Sequence, residues 1–236
     1  MCTGSLNIMF DKIEKKSLTT VLVEYIKKEQ SKSNKGRYWY RNVVIEISEP
    51  TDFSVKLCLD SVFQKFQGIN ISNYIRHIEV VKSDVISGNN AYFKNRKIYI
   101  SNSLQKEQFI ESLVHEIAHG LIKTNQQFFF DDNLLSEFIR KRRVLYSYLE
   151  SYGYDVEQTY FLSLANNDSL KEYLKTNVGY NKLVHFASGL FPSINSITSP
   201  VEYVAEAFEM SLNGDAQYVA SISPEAFKRI KKFLKK

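Results

Sequence analysis

The chain has 236 residues, room for one large domain or for a domain with a smaller accessory region; 44% hydrophobic and 24% charged residues exclude collagen-like, low-complexity and wholly disordered classes. Cys2 and Cys58 are the only cysteines, too few for a disulfide framework or an all-thiolate zinc site. The formal charge of +5 invites a nucleic-acid reading, but the basic residues are spread along the chain. The clusters Lys32 to Arg41 and Lys228 to Lys236 read as solvated faces or linkers, so no nucleic-acid partner is expected.

The N-terminus, MCTGSLNIMFDKIEKK, lacks a basic start followed by an apolar run, and no stretch approaches about 18 uncharged apolar residues. A cytoplasmic, monomeric protein without a membrane partner is expected. Leu6 to Glu29 predicts an amphipathic helix, and SKSNKG at 31 to 36 has the composition of a linker. Residues 1 to 70 are expected to form an accessory region and 71 to 236 the main domain. Val43 to Ile47 alternates like a strand, and the spacing over Phe53 to Phe66 predicts a helix. IRHIEVV, AYF and KIYIS, separated by the turn signals SGNN and KN, predict three short strands. After Ser103 helices are expected over 104 to 123, 133 to 151, 157 to 175, 181 to 190, 200 to 212 and 224 to 235. Strands first and helices after give the α+β class: a small antiparallel or mixed sheet followed by a mostly helical part.

QFIESLVHEIAHGLI carries the chemistry. Phe109, Ile110, Leu113, Val114, Ile117, Ala118, Leu121 and Ile122 recur at three-and-four spacing, an amphipathic helix. His115 and His119 are four apart and therefore share one stripe, with Glu116 beside them. This is the HExxH arrangement, expected about 0.005 times by chance in a chain of this composition. Two imidazoles one turn apart can reach one Zn²⁺ at about 2.0–2.1 Å, while the intervening carboxylate stays close enough to take a proton from water. Zn²⁺ is the expected cofactor.

A catalytic zinc site normally has three protein ligands. The extended pattern HExxHxxGxxH is excluded, because positions 122 and 125 hold Ile122 and Asn125. His77 and His185 sit in apolar runs that suit structural histidines, and Cys58 gives only a faint parallel to enzymes with an upstream thiolate ligand. Glu137 has basic neighbours on its own helix that explain it structurally. Glu202 and Glu206 in SPVEYVAEAFEM lie one turn apart, with Glu209 extending the stripe; stacked like charges are unfavourable unless a cation or donor lies between them. Ser199, Pro200 and Glu202 also read as a capping box, and an acidic stripe on a helix can simply face solvent. From the residues alone Glu202 leads, with Glu137, His185, His77 and Glu206 still open.

HEIAHG at 115 to 120 followed far downstream by EYVAEAF at 202 to 208 resembles the anthrax lethal factor catalytic domain family of zinc metallopeptidases, to which Pro-Pro endopeptidases are related. SPEAFKRIKKFL at the chain's end is similar to that family's closing helix, so the resemblance spans about 75 to 236. It implies a zincin subdomain that hydrolyses protein or peptide substrates, with Glu202 as third ligand, Glu206 supporting a zinc histidine from outside, and Glu116 as general base. It also implies an insertion within 130 to 180. The family's transition-state tyrosine is replaced here by Asn195, and His185 is the expected substitute donor. The substrate is expected to pair with the strand over Lys97 to Ser101, at Tyr99 and Ile100. Two alternatives remain: a regulatory peptidase of the ImmA/IrrE type, with a glutamate nearer in sequence as ligand, and a zinc-binding interaction module with a vestigial peptidase site.

Overall fold

The computed structural model describes residues 33–162, 164 and 168–235. The helix expected over Leu6 to Glu29 lies outside the described residues. Within them the fold is α+β: a five-stranded mixed sheet and a mostly helical C-terminal part. The strands are β1 (Gly36–Tyr40), β2 (Val43–Ile47), β3 (His77–Val81), β4 (Ala91–Lys94) and β5 (Lys97–Ser101). Their order across the sheet is β1-β2-β3-β5-β4.

Two of the four pairings are hairpins. Arg41 and Asn42 between β1 and β2, and Asn95 and Arg96 between β4 and β5, all have positive φ, the signature of two-residue turns whose twist matches the strands. The KN turn signal thus marks the second hairpin. β2 pairs with β3 and β3 with β5 in parallel, which requires crossovers. Helix α1 (Val55–Lys65) makes the first of these, burying Val55, Cys58, Leu59, Val62 and Phe63.

Alternation sets the two faces of the sheet. Ile45, Ile78 and Ile98 stand in one cross-strand row and Ile47, Val80 and Ile100 in the next, all buried. The other face carries Glu46, His77, Glu79, Lys97 and Tyr99, only partly buried. The strand expected over the Ile75 run begins at His77, because Ile75 belongs to the core beneath the sheet.

The remaining helices are α2 (Lys106–Thr124), α3 (Gln126–Phe129), α4 (Asp132–Ser151), α5 (Gln158–Leu162), α6 (Asp168–Val178), α7 (Tyr180–Ala187), α8 (Pro200–Asn213), α9 (Ala216–Ile222) and α10 (Pro224–Leu234). The single helix expected over 157 to 175 is two, α5 and α6. None of the described helices is long and apolar enough to cross a membrane.

Two expectations about organisation change. GRYWY, within the cluster read as a linker or solvated face, is the edge strand β1, with Arg37 and Trp39 outward and Tyr38 and Tyr40 packed against the core. Residues 36–66 share one sheet and one hydrophobic core with the rest, so the boundary expected at residue 70 has no counterpart in the described packing. The burial period of β2 and α1 already requires a partner layer, and α2 supplies it.

Candidate metal centre and cleft

Helices α2 and α8 pack against each other more extensively than any other pair of elements, and the polar stripe of each faces the same space. On α2 that stripe is His115, Glu116 and His119; on α8 it is Glu202, Glu206 and Glu209. Ser199 starts α8 by accepting the Glu202 N–H (3.1 Å), with Pro200 at the first turn. The Glu202 side chain turns instead to the histidines.

The Nε2 atoms of His115 and His119 are 3.0 Å apart; Glu202 Oε2 lies 3.4 Å from the first and Glu202 Oε1 lies 3.3 Å from the second. Ligands bound at about 2.0–2.1 Å to a tetrahedral zinc lie about 3.3–3.4 Å from one another. The three side chains therefore converge on the scale of one face of such a tetrahedron, the carboxylate meeting each imidazole through a different oxygen, and this trio could hold a metal ion.

The electrostatics favour a cation there. Burial disfavours charge on His115, yet the carboxylates of Glu202, Glu209, Glu206 and Glu116 hold its pKa well above the ordinary histidine value. Burial likewise works against ionised Glu202, but the two imidazoles hold its carboxyl well below the usual range. Surroundings that favour a proton on His115 favour any positive charge in that position.

His115 Nδ1 lies 3.0 Å from a Glu209 oxygen and 3.9 Å from Glu206. A proton donated from Nδ1 to Glu209 leaves the Nε2 lone pair facing Glu202 and His119. The direct contact to the imidazole from behind is thus made by Glu209, which the sequence stripe included but the family resemblance passed over. Glu206, buried at 8% exposure, accepts from Asn195 Nδ2 (3.1 Å), and Asn195 Oδ1 accepts from Lys171 (2.6 Å). Lys171 carried no signal in the sequence, since an isolated lysine on an exposed helix is ordinary.

Glu116 is buried, and burial raises its carboxyl pKa despite the nearby imidazoles and a hydrogen bond from the Phe93 backbone. Phe93 belongs to β4. In the β4–β5 hairpin the residues beside the turn, Lys94 and Lys97, bond to each other, and so do Asn90 and Ser101 (2.9 Å). The intervening Ala91 and Phe93 therefore turn their backbone groups away from β5, toward an open cleft of about 1480 Å³ that contains His115, Glu116, His119 and Glu202.

Three expected site residues are not brought here. Tyr99 and Ile100 lie on β5, whose two edges are already paired with β3 and β4; at this end of the sheet the open edge belongs to β4. Strand order across crossovers is invisible in a local pattern, so the sequence does not separate the inner strand β5 from the edge strand β4. His185 is exposed on α7, against the Phe186 ring, and does not line the cleft. The buried positions of that helix are Leu183 and Ala187, so its phase carries His185 outward.

The other ligand candidates have occupations elsewhere. Glu137 is buried and accepts from the Tyr203 hydroxyl (2.7 Å) and from the Glu225 N–H (3.0 Å) at the start of α10. Its basic neighbours go elsewhere too: Lys141 to the carbonyls of Leu190 and Ile222 and to Ser223, Arg142 to those of Ile197 and Thr198. His77 lies on the outer sheet face, 3.0 Å from Glu46. Cys58 is fully buried on α1, and burial raises its thiol pKa to about 11. Comparison with protein-family models, curated proteins and solved structures yields no match for this chain.

Proposed function

We propose that the chain is a zinc-dependent endopeptidase, and the observation that carries the proposal is the convergence of His115, His119 and Glu202 with Glu116 beside them. Zinc held by these three residues would supply a Lewis acid that polarises the scissile carbonyl and acidifies water. Glu116 takes the proton of the attacking water; the water oxygen bonds to the carbonyl carbon, the C–N bond breaks, and the proton passes to the departing amine. Burial suits Glu116 to this exchange, since raising its pKa makes the carboxylate a better proton acceptor. The substrate lies extended along β4, pairing with the backbone groups of Ala91 and the carbonyl of Phe93, whose N–H is given to Glu116.

Glu209 keeps His115 in the tautomer that presents Nε2, and the Lys171–Asn195 pair holds Glu206 on the same stripe of α8. Glu137, engaged with Tyr203 and Glu225, lends no support to a regulatory peptidase that takes its ligand from α4. The test is hydrolysis of a peptide library by zinc-loaded protein and by Glu116→Gln. Cleavage by the first alone supports the proposal. Zinc binding without cleavage by either leaves an interaction module.

A further inference from the structure

The floor of the cleft changes character along α2. Chain direction fixes which end is which: β5 ends at Ser101 beside Asn90, and α2 begins at Lys106, so the start of β4 lies at the start of α2. At the other end Phe93 packs toward Gly120, with the Lys123 ammonium 5.8 Å from its ring. β4 and α2 therefore run in the same direction. From Gln108 to Lys123 the helix covers about 22 Å, the length of six or seven extended residues.

Before His115 the cleft is polar and acidic, lined by Gln108, Ser112 and Glu111. Glu111 is exposed and forms no hydrogen bond or ion pair among the described residues. Beyond His119 the lining contributed by the end of α2 and the chain that follows it is Ile122, Phe130 and Leu135 with the polar Gln126, and its one charge is the Lys123 ammonium. The metal-site residues lie between the two ends.

Taking the site as a peptidase centre, we infer that its substrate class is peptides with a bulky apolar side chain on the N-terminal side of the scissile bond and a basic side chain on the C-terminal side. Antiparallel pairing, the more stable mode, makes a peptide on β4 run from the Phe93 and Lys123 end to the Asn90 and Glu111 end. Its N-terminal half then meets the apolar lining and its C-terminal half meets Glu111. Lys123 repels a basic residue at the apolar end, so the order is enforced from both sides.

Binding tests this separately from hydrolysis. An eight-residue fluorescent peptide with Phe-Leu before and Arg-Arg after its centre, and the same peptide in reversed order, are titrated into Glu116→Gln and into zinc-stripped wild type. The apolar-first peptide should bind at least about tenfold more tightly, the scale of one buried apolar side chain. Equal binding, or preference for the reversed order, overturns the inference even if the enzyme cleaves other peptides. Glu111→Lys should lower affinity for the Arg-Arg peptide about threefold to tenfold and raise it for a Glu-Glu counterpart. An unchanged ranking removes Glu111 from recognition. Whether wild type cleaves the bound peptide bears only on the peptidase proposal.

Discussion

His115 Nδ1 and Glu209 Oε2 are 3.0 Å apart, the closest approach of any α8 carboxylate to that imidazole, while Glu206 stands at 3.9 Å and is held by Asn195. A carboxylate in that position orients the ring and raises its basicity. Glu209→Gln should therefore weaken zinc binding by roughly 10–100-fold, and Glu206→Gln by less. Competition with a chromophoric chelator measures both, and the opposite order would return the outer role to Glu206.

Glu202 and Glu137 should separate metal binding from stability. Glu202→Ala removes the proposed third ligand and should abolish stoichiometric zinc while the protein stays folded. Glu137→Ala leaves the Tyr203 hydroxyl, the Glu225 N–H and the buried Lys141 without their acceptor or counter-charge. It should cost about 3 kcal/mol of stability with zinc stoichiometry intact. Zinc content and urea denaturation of both variants decide the matter; loss of metal only from Glu137→Ala would move the third ligand to α4.

The helical period of α2 and α8 made His115, Glu116, His119 and Glu202 legible, because a polar stripe opposite a continuous apolar face has to point at something. The hairpin β4–β5 was legible through its turn. Sheet order was not: β2–β3 and β3–β5 join through crossovers, and nothing local says that β4 rather than β5 keeps an open edge. β1 was missed because two outward side chains, Arg37 and Trp39, make an edge strand look like a solvated linker. His185 was misplaced by the phase of an eight-residue helix, where two buried positions decide the face. Lys171 reaches the site only through Asn195, a contact between segments far apart in sequence.

His185→Ala should leave zinc content and kcat within about twofold of wild type, since an exposed side chain away from the cleft contributes little. Asn195→Ala removes both the donor to Glu206 and the acceptor for Lys171. It should lower kcat and zinc affinity together, with an outer-partner effect on affinity of about tenfold or more. A hundredfold loss of kcat in His185→Ala, with folding and metal intact, would restore that histidine to the mechanism.

Gly120 lies where α2 passes beneath the sheet. A methyl group there would stand 2.6 Å from the Ile75 terminal carbon and 3.5 Å from the Phe93 ring. Ile75 is fully buried and has little room to withdraw. Gly120→Ala should therefore destabilise by about 1–3 kcal/mol despite the better helix propensity of alanine. Because Phe93 donates its backbone N–H to Glu116, displacement of β4 should also reduce turnover. Ile75→Val, which removes the offending carbon, should recover part of the stability when combined with Gly120→Ala; strict additivity of the two substitutions would exclude the contact as the cause.

Lys141 gives stability a defined dependence on pH. Burial lowers its pKa to about 8, against the opposing pull of Glu137 and with a smaller push from Arg140. Below pH 8 the ammonium is charged in both the folded and the unfolded chain, and the folded state bears the full cost of burying it. Between pH 8 and the ordinary lysine value near 10.5 the unfolded chain binds the extra proton, so stability relative to a variant without this group must rise with pH. Lys141→Met is that variant; it also leaves the Leu190 and Ile222 carbonyls without a donor and should be less stable at pH 7. The stability difference, wild type minus Lys141→Met, should increase across that window by at most on the order of 3 kcal/mol, and denaturant titrations at pH 7.5, 9 and 10.5 would show it. A difference that stays constant across the three would mean that Lys141 keeps its proton, held by the carbonyls and Glu137 more strongly than burial opposes it.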